Sequence, residues 1–260
     1  MLFLQRIPKL LRWIFSVLLI LLIVMTISRL IIFWKFDPPG KAFSGSAFIM
    51  GFRFDARIIC VIGLFMMLLC AIPFLNPFKN FKAKKFWNIF LPVLFIIMIL
   101  ILAIDFYHFD YLHQRLNATV LNYLQDAGIS FNMMWQTYPL LKICIAIIIL
   151  LVLARLGFAG LLAHYQQQDS FYKRKGVLMY ILSFLIFGIF IFGKIGQYPL
   201  RWSDAYTLSD DFKANLALNP FQSFLSTLNI TCISSPCLSK RPFCLSSSFS
   251  ICSNLIKISF

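Results

Sequence analysis

Apolar residues in this chain fall into five long runs, separated by stretches that hold clustered charges. The runs cover residues 13–34, 58–75, 87–106, 140–162 and 177–195. Each approaches the roughly 20 apolar residues that carry a helix across a bilayer. The second is the shortest and holds Pro73 near its end. The pattern predicts an all-α fold: a five-helix transmembrane bundle. The first run exceeds the roughly 7–15 apolar residues of a cleaved signal peptide, so it is expected to stay in place as a signal anchor.

Charge placement gives the expected direction. Arg6, Lys9 and Arg12 precede the first run. Lys79, Lys82, Lys84 and Lys85 follow the second, and Lys173, Arg174 and Lys175 follow the fourth. With five crossings these groups share one side, and basic residues collect in cytoplasmic loops. The N-terminus is therefore expected inside and the C-terminus outside. The two opposite loops are balanced, holding Lys35, Asp37, Lys41, Arg53, Asp55 and Arg57, then Asp110, Arg115 and Asp126.

Two stretches on the outer side carry helical patterns of their own. In 111–125, Leu112, Leu116, Val120, Tyr123 and Leu124 recur at helical spacing, with polar residues largely between them. This predicts an amphipathic helix lying in the interface. Met133, Met134, Trp135 and Tyr138 then suit re-entry at headgroup depth. After the fifth run, Asn219-Pro220 is a helix-start signal. Phe221, Phe224, Leu225 and Leu228 follow on one face, as expected of a helix on the membrane surface or against the bundle.

Composition agrees with the membrane reading. The chain is 60% hydrophobic and 13% charged, where a soluble domain is about a quarter charged. The net charge of +15 does not point to nucleic acid, because the bases flank apolar runs and form no stripe. Every acidic residue is Asp, for which no physical account emerges. Cys60, Cys70 and Cys144 lie in apolar runs and read as small hydrophobes.

A few charges sit at membrane depth, where charge is costly. Arg29 lies just inside the outer end of the first run, and Asp105 at the outer end of the third. Two readings are open: the two pair with each other, or each snorkels to the interface. Arg155, Lys142 and Lys194 read as snorkelling residues. His108 and His113 with Asp105 and Asp110 make a loose metal set against which an interfacial helix cap competes. No metal motif matches, and no metal site is assigned.

Several short motifs lie on the outer side: Gly51-Phe52-Arg53-Phe54-Asp55, Asp105-Phe106-Tyr107 leading to Arg115, Leu200-Arg201, Leu218-Asn219-Pro220-Phe221, and Thr227-Leu228. In this order, on five runs, they resemble the N-terminal membrane domain of the lipoteichoic acid synthase-like phosphoglycerol transferases, of the sulfatase and alkaline phosphatase superfamily. The resemblance covers residues 6–228. It implies a bacterial cytoplasmic membrane protein that anchors an extracytoplasmic catalytic domain and faces its lipid, phosphatidylglycerol. That catalytic domain would use a Thr nucleophile and a divalent metal, typically manganese, to move phosphoglycerol onto a glycan or growing polymer.

The chain departs from that family after Asp211, where acidic residues cease. A carboxylate metal cluster cannot be built there, so no catalytic residue is assigned and no cofactor is expected in this chain. Residues 229–260 turn rich in Ser and Cys. Cys232, Cys237, Cys244 and Cys252 fit no zinc spacing. A disulfide knuckle, a disordered tail and a truncated gene read out of frame are the readings open, the last being preferred. The expected organisation is a five-span domain over 1–197, juxtamembrane linker helices over 198–228 and an irregular tail over 229–260. Two readings are open for Arg53, Arg57, Arg115 and Arg201: as outward-facing cations they pair the phosphate of lipid headgroups, or they merely sit at the interface. A small multi-pass transporter or a membrane assembly protein is the alternative function.

Overall fold

The computed structural model describes residues 7–36, 45–118, 120, 140–168, 173–194, 198–208 and 210–234, with the backbone alone for 140–144, 173–175 and 229–234. Among the described residues the chain is helical, without strands. In order, α1 is Lys9–Phe36, α2 Gly45–Ala71, α3 Phe81–Leu112, α4 Leu140–Gln166, α5 Lys173–Phe192, α6 Asp211–Ala217 and α7 Pro220–Ser234. Short 3-10 turns occupy Pro73–Leu75 and Trp202–Thr207.

Four helices are long and apolar enough to cross a membrane: Lys9–Phe36, Gly45–Ala71, Phe81–Leu112 and the Ile145–Gln166 part of α4. By length and composition this is a membrane protein. The apolar part of α5, Gly176–Phe192, is shorter.

Helix α1 packs against α2, α3 and α4, while α5 packs on α2 and also meets α1, where the Phe15 and Phe187 rings lie 5.5 Å apart. The reason is visible on α1. Ile14, Leu18, Leu21, Met25, Arg29 and Ile32 recur every three or four residues and are all buried. Leu19, Ile23, Ile27 and Ile31, on the other side, are exposed, as suits lipid. At the N-terminal end of α1, Trp13 meets Trp87 and Phe78 edge-on at 5.6 and 6.1 Å. The Trp87 indole donates to the Leu75 carbonyl at 2.8 Å. Arg12 reaches Gln168 at 2.6 Å and Lys84 reaches Gln166 at 2.8 Å, tying α1 and α3 to the end of α4.

The opposite end is covered by the segment that follows α5. Helix α5 stops at Gly193, whose φ of +71° suits glycine. The chain then turns back, and Leu200 N–H bonds the Phe192 carbonyl at 3.0 Å. Leu200, Ala205, Ala217 and Leu218 bury themselves on Phe54 of α2. Leu216 packs with Ile32, Ala47 and Phe109, from α1, α2 and α3. This covered face is the capped end of the bundle.

Element boundaries depart from hydropathy in informative places. Helix α2 begins at Gly45, so Arg53, Asp55 and Arg57 lie on the helix and not in a loop. Helix α3 runs from Phe81 to Leu112, with the Asn80 side chain capping the Lys82 N–H at 3.0 Å. The amphipathic helix expected over 111–125 does not start at Tyr111. Tyr111 and Leu112 close α3, His113 caps it in the left-handed region at φ 54°, and residues 113–118 are not helical. The rest of that stretch, and Met133 to Tyr138, lie outside the described residues apart from Val120. Helix α7 starts at Pro220, as the Asn-Pro pair predicts, and continues past Leu228 to Ser234.

Candidate functional site

Four charged side chains are buried together at the capped end: Arg29, Asp55, Asp105 and Arg115, none more than 4% exposed. Each of the three on membrane helices stands on a buried stripe. Asp55 follows Ala47 and Gly51 and precedes Ile59, and Asp105 lies between Leu102 and Phe109. Helical spacing therefore forces them inward, and burial of a charge is tolerable only with a partner.

The partners come from different elements. Arg29 grips both Asp55 oxygens at 2.8 Å. It also donates to the carbonyls of Gly51 at 3.1 Å, Ala217 at 2.7 Å and, closer still, Leu216. Arg115 pairs with Asp105 and donates from Nε to the Asn215 carbonyl at 2.8 Å. The second Asp105 oxygen accepts the Leu116 N–H at 2.9 Å. Two arginines thus converge on the last carbonyls of α6, which lack partners within their own helix. The four charges sum to zero, and each is held by several donors or acceptors.

Neither open reading of Arg29 and Asp105 describes this arrangement. They do not pair with each other, and neither reaches the surface. Asp55 holds the one and Arg115 the other.

Asn219 completes the cluster. Its amide donates to Asp55 at 3.2 Å, while its oxygen caps α7 at the Gln222 N–H, 2.8 Å away. The sequence marks Asn219 as a cap but not as a ligand of Asp55. Asn219→Ala removes both bonds and is expected to cost about 1–2 kcal/mol. Faster protease cleavage after Leu200 in the folded, detergent-purified chain would report it; unchanged cleavage would place Asn219 outside the cap. Further along α7, Ser223 is buried and Leu225 is 58% exposed. Thr227 Oγ1 accepts the Ala118 N–H at 2.8 Å. The docked face therefore includes small polar residues, not the expected apolar row alone.

The cations expected at lipid headgroups occupy different settings. Arg115 is buried in the cluster. Arg57 is half-buried and donates to the Leu200 carbonyl. Arg201 is exposed, with its guanidinium over the Tyr198 ring at 5.0 Å. Arg53 is exposed beside α5. Arg155 is exposed on α4, and Lys194 lies beside Asp204 at 3.4 Å. The side chain of Lys142 is outside the described residues.

Beside the cluster, a polar pocket of about 490 Å³ is lined by Arg115, Asn117, Trp202, Tyr206, Asp211 and Asn215, among others. Burial, and then the Asp211 carboxylate, raise the Tyr206 phenol above its ordinary pKa. No group of three His, Cys or Asp side chains gathers as a metal site among the described residues. Asp105 is committed to Arg115, Asp110 to Lys35 at 3.0 Å, and His108 Nδ1 to the Gln114 carbonyl at 3.0 Å. Cys60 and Cys70 are buried free thiols.

The arrangement is suited to fastening. It ties buried charges to one another and to backbone carbonyls, and locks one returning segment onto three membrane helices. Compared with known proteins, the chain matches no family model, no curated protein and no solved structure.

Proposed function

We propose that this chain is the membrane domain of a lipoteichoic acid synthase-like phosphoglycerol transferase, serving as its anchor and lipid-facing platform. In this reading α5 is a fifth span despite its shorter apolar part. The N-terminus lies in the cytoplasm, the capped end outside, and the membrane is the bacterial cytoplasmic one. The donor side is phosphatidylglycerol or a related lipid, and exposed cations such as Arg53 and Arg201 meet its headgroups. The pieces after α5 are the interfacial helices and linker toward a catalytic domain.

One observation carries the proposal. Residues from each of the motifs behind the resemblance meet at the capped end: Gly51, Phe54 and Asp55; Asp105 and Arg115; Leu200; Leu218 and Asn219; and Thr227. Such convergence suits a mount that fixes where a following domain leaves the membrane. These 260 residues hold no acidic residue after Asp211, so a metal-dependent transferase site would have to lie in other residues.

Reading the genomic DNA beyond the Leu228 codon in all frames tests this. The expected result is a frame encoding a strand that ends in an acidic metal ligand, then a sulfatase-like Thr motif. If no frame does so, the transferase reading fails. Solute uptake by vesicles carrying the chain would favour the transporter alternative.

A further inference from the structure

An open cleft of about 670 Å³ lies along α5 where α2 passes it. Its walls include Phe184, Leu185, Ile189, Phe190 and Phe192, with Arg53 and Lys194 toward the capped end. The walls face away from the core: Leu185 is 55% and Ile189 68% exposed. The helical wall from Phe184 to Phe192 spans about 12 Å at about 1.5 Å per residue. With Lys194 beyond the helix end this approaches the depth of one leaflet, half of a hydrocarbon core about 30 Å thick.

The cleft thus has an apolar wall close to one leaflet deep beneath two cations. Arg53 makes no ion pair among the described residues. Lys194 is half-exposed, and its contact with Asp204 is long at 3.4 Å. Arg57, one turn along α2, has its guanidinium on the Leu200 carbonyl instead. A zwitterionic headgroup would bring its own cation to the pair, whereas an anionic one leaves its phosphate charge for them.

We infer that this cleft seats one anionic phospholipid, its phosphate held by Arg53 and Lys194 and an acyl chain laid along Phe184 to Phe192. Gly188 sits in the wall and leaves room there, since a Cβ at that position meets nothing within 4 Å. The inference rests on the lipid-facing part of the reading above and not on its transferase part.

Native mass spectrometry of the full chain, released from detergent with phosphatidylglycerol or phosphatidylcholine added, tests it. The natural chain should retain one phosphatidylglycerol in preference to phosphatidylcholine. Arg53→Gln with Lys194→Gln should lower phosphatidylglycerol retention about tenfold, as expected for losing charge-assisted bonds, and leave phosphatidylcholine unchanged. Gly188→Leu places its side chain in the cleft from a position where the Cβ meets nothing within 4 Å, and should lower retention of both lipids. Equal retention of the two lipids by the natural chain, or no loss in the double variant, overturns the inference. So does displacement of the lipid by soluble glycerol 3-phosphate, which would mark a site for free phosphate. None of these readouts depends on a catalytic domain, so the DNA test and this one fail separately.

Discussion

Asp55→Ala lowers the stability of the folded chain by about 3–5 kcal/mol, the usual cost of breaking a buried ion pair from one side. The substitution leaves the Arg29 guanidinium buried with carbonyl partners alone. It also takes the acceptor from the Asn219 amide, 3.2 Å away. The Arg29 contacts to Leu216 and Ala217 carry the returning segment, so the cap should loosen before the bundle does. In a purified detergent preparation the expected result is a lower unfolding midpoint and rapid protease cleavage between α5 and α6. Replacing both partners, as Arg29→Met with Asp55→Leu, separates two effects. Removing the pair together avoids a bare charge and recovers much of the loss. It does not recover all of it, because the last carbonyls of α6 lose a donor. If Asp55→Ala melts and resists protease like the natural chain, Arg29 is not held as described.

Four of the five expected membrane helices were legible because a bilayer is the natural solvent for apolar runs of this length, while the apolar part of α5 is shorter. Their ends were less so. Arg53, Asp55 and Arg57 interrupt the apolar run, and hydropathy therefore starts α2 at residue 58, well after Gly45. Hydropathy averages over a window and is blind to which face a charge occupies. Periodicity is not blind to it: Ala47, Gly51, Asp55 and Ile59 are spaced by four, and that stripe marks Asp55 as inward-facing. Arg29 carries the same mark on α1, four residues after Met25 and three before Ile32.

The partners of those charges could not be read from either pattern. Arg29 and Asp55 meet only because α1 and α2 pack in one register. Arg115 reaches Asp105 only because α3 ends at His113 and the chain turns back beside it. The α6 carbonyls carry no sequence mark, since any residue supplies one. Arg115 accordingly looked like an outward cation, and its burial depends on a segment a hundred residues later. The Asn219-Pro220 start of α7 was legible for the opposite reason, because capping is local chemistry.

Gly51→Ala is expected to destabilise the chain by about 1–3 kcal/mol, against a gain of roughly 1 kcal/mol that Ala normally brings to a helix. A Cβ there would lie 1.7 Å from Arg29 Nη1 and 2.2 Å from its Cζ. Elsewhere an arginine tip would swing aside at little cost. This one is fixed by both Asp55 oxygens and by carbonyls of Gly51, Leu216 and Ala217. It can make room only by leaving them. The substitution thus attacks the ion pair without touching a charge. Gly188→Ala is the matched control: it also adds one methyl to a membrane helix, but into open space, and should leave the unfolding midpoint level or slightly higher. Combining Gly51→Ala with Asp55→Ala separates the causes. Both act through the seat of Arg29, so their joint effect on the midpoint should fall well short of the sum. Full additivity would mean that Gly51 is needed for helix packing alone, and that the guanidinium has room to move.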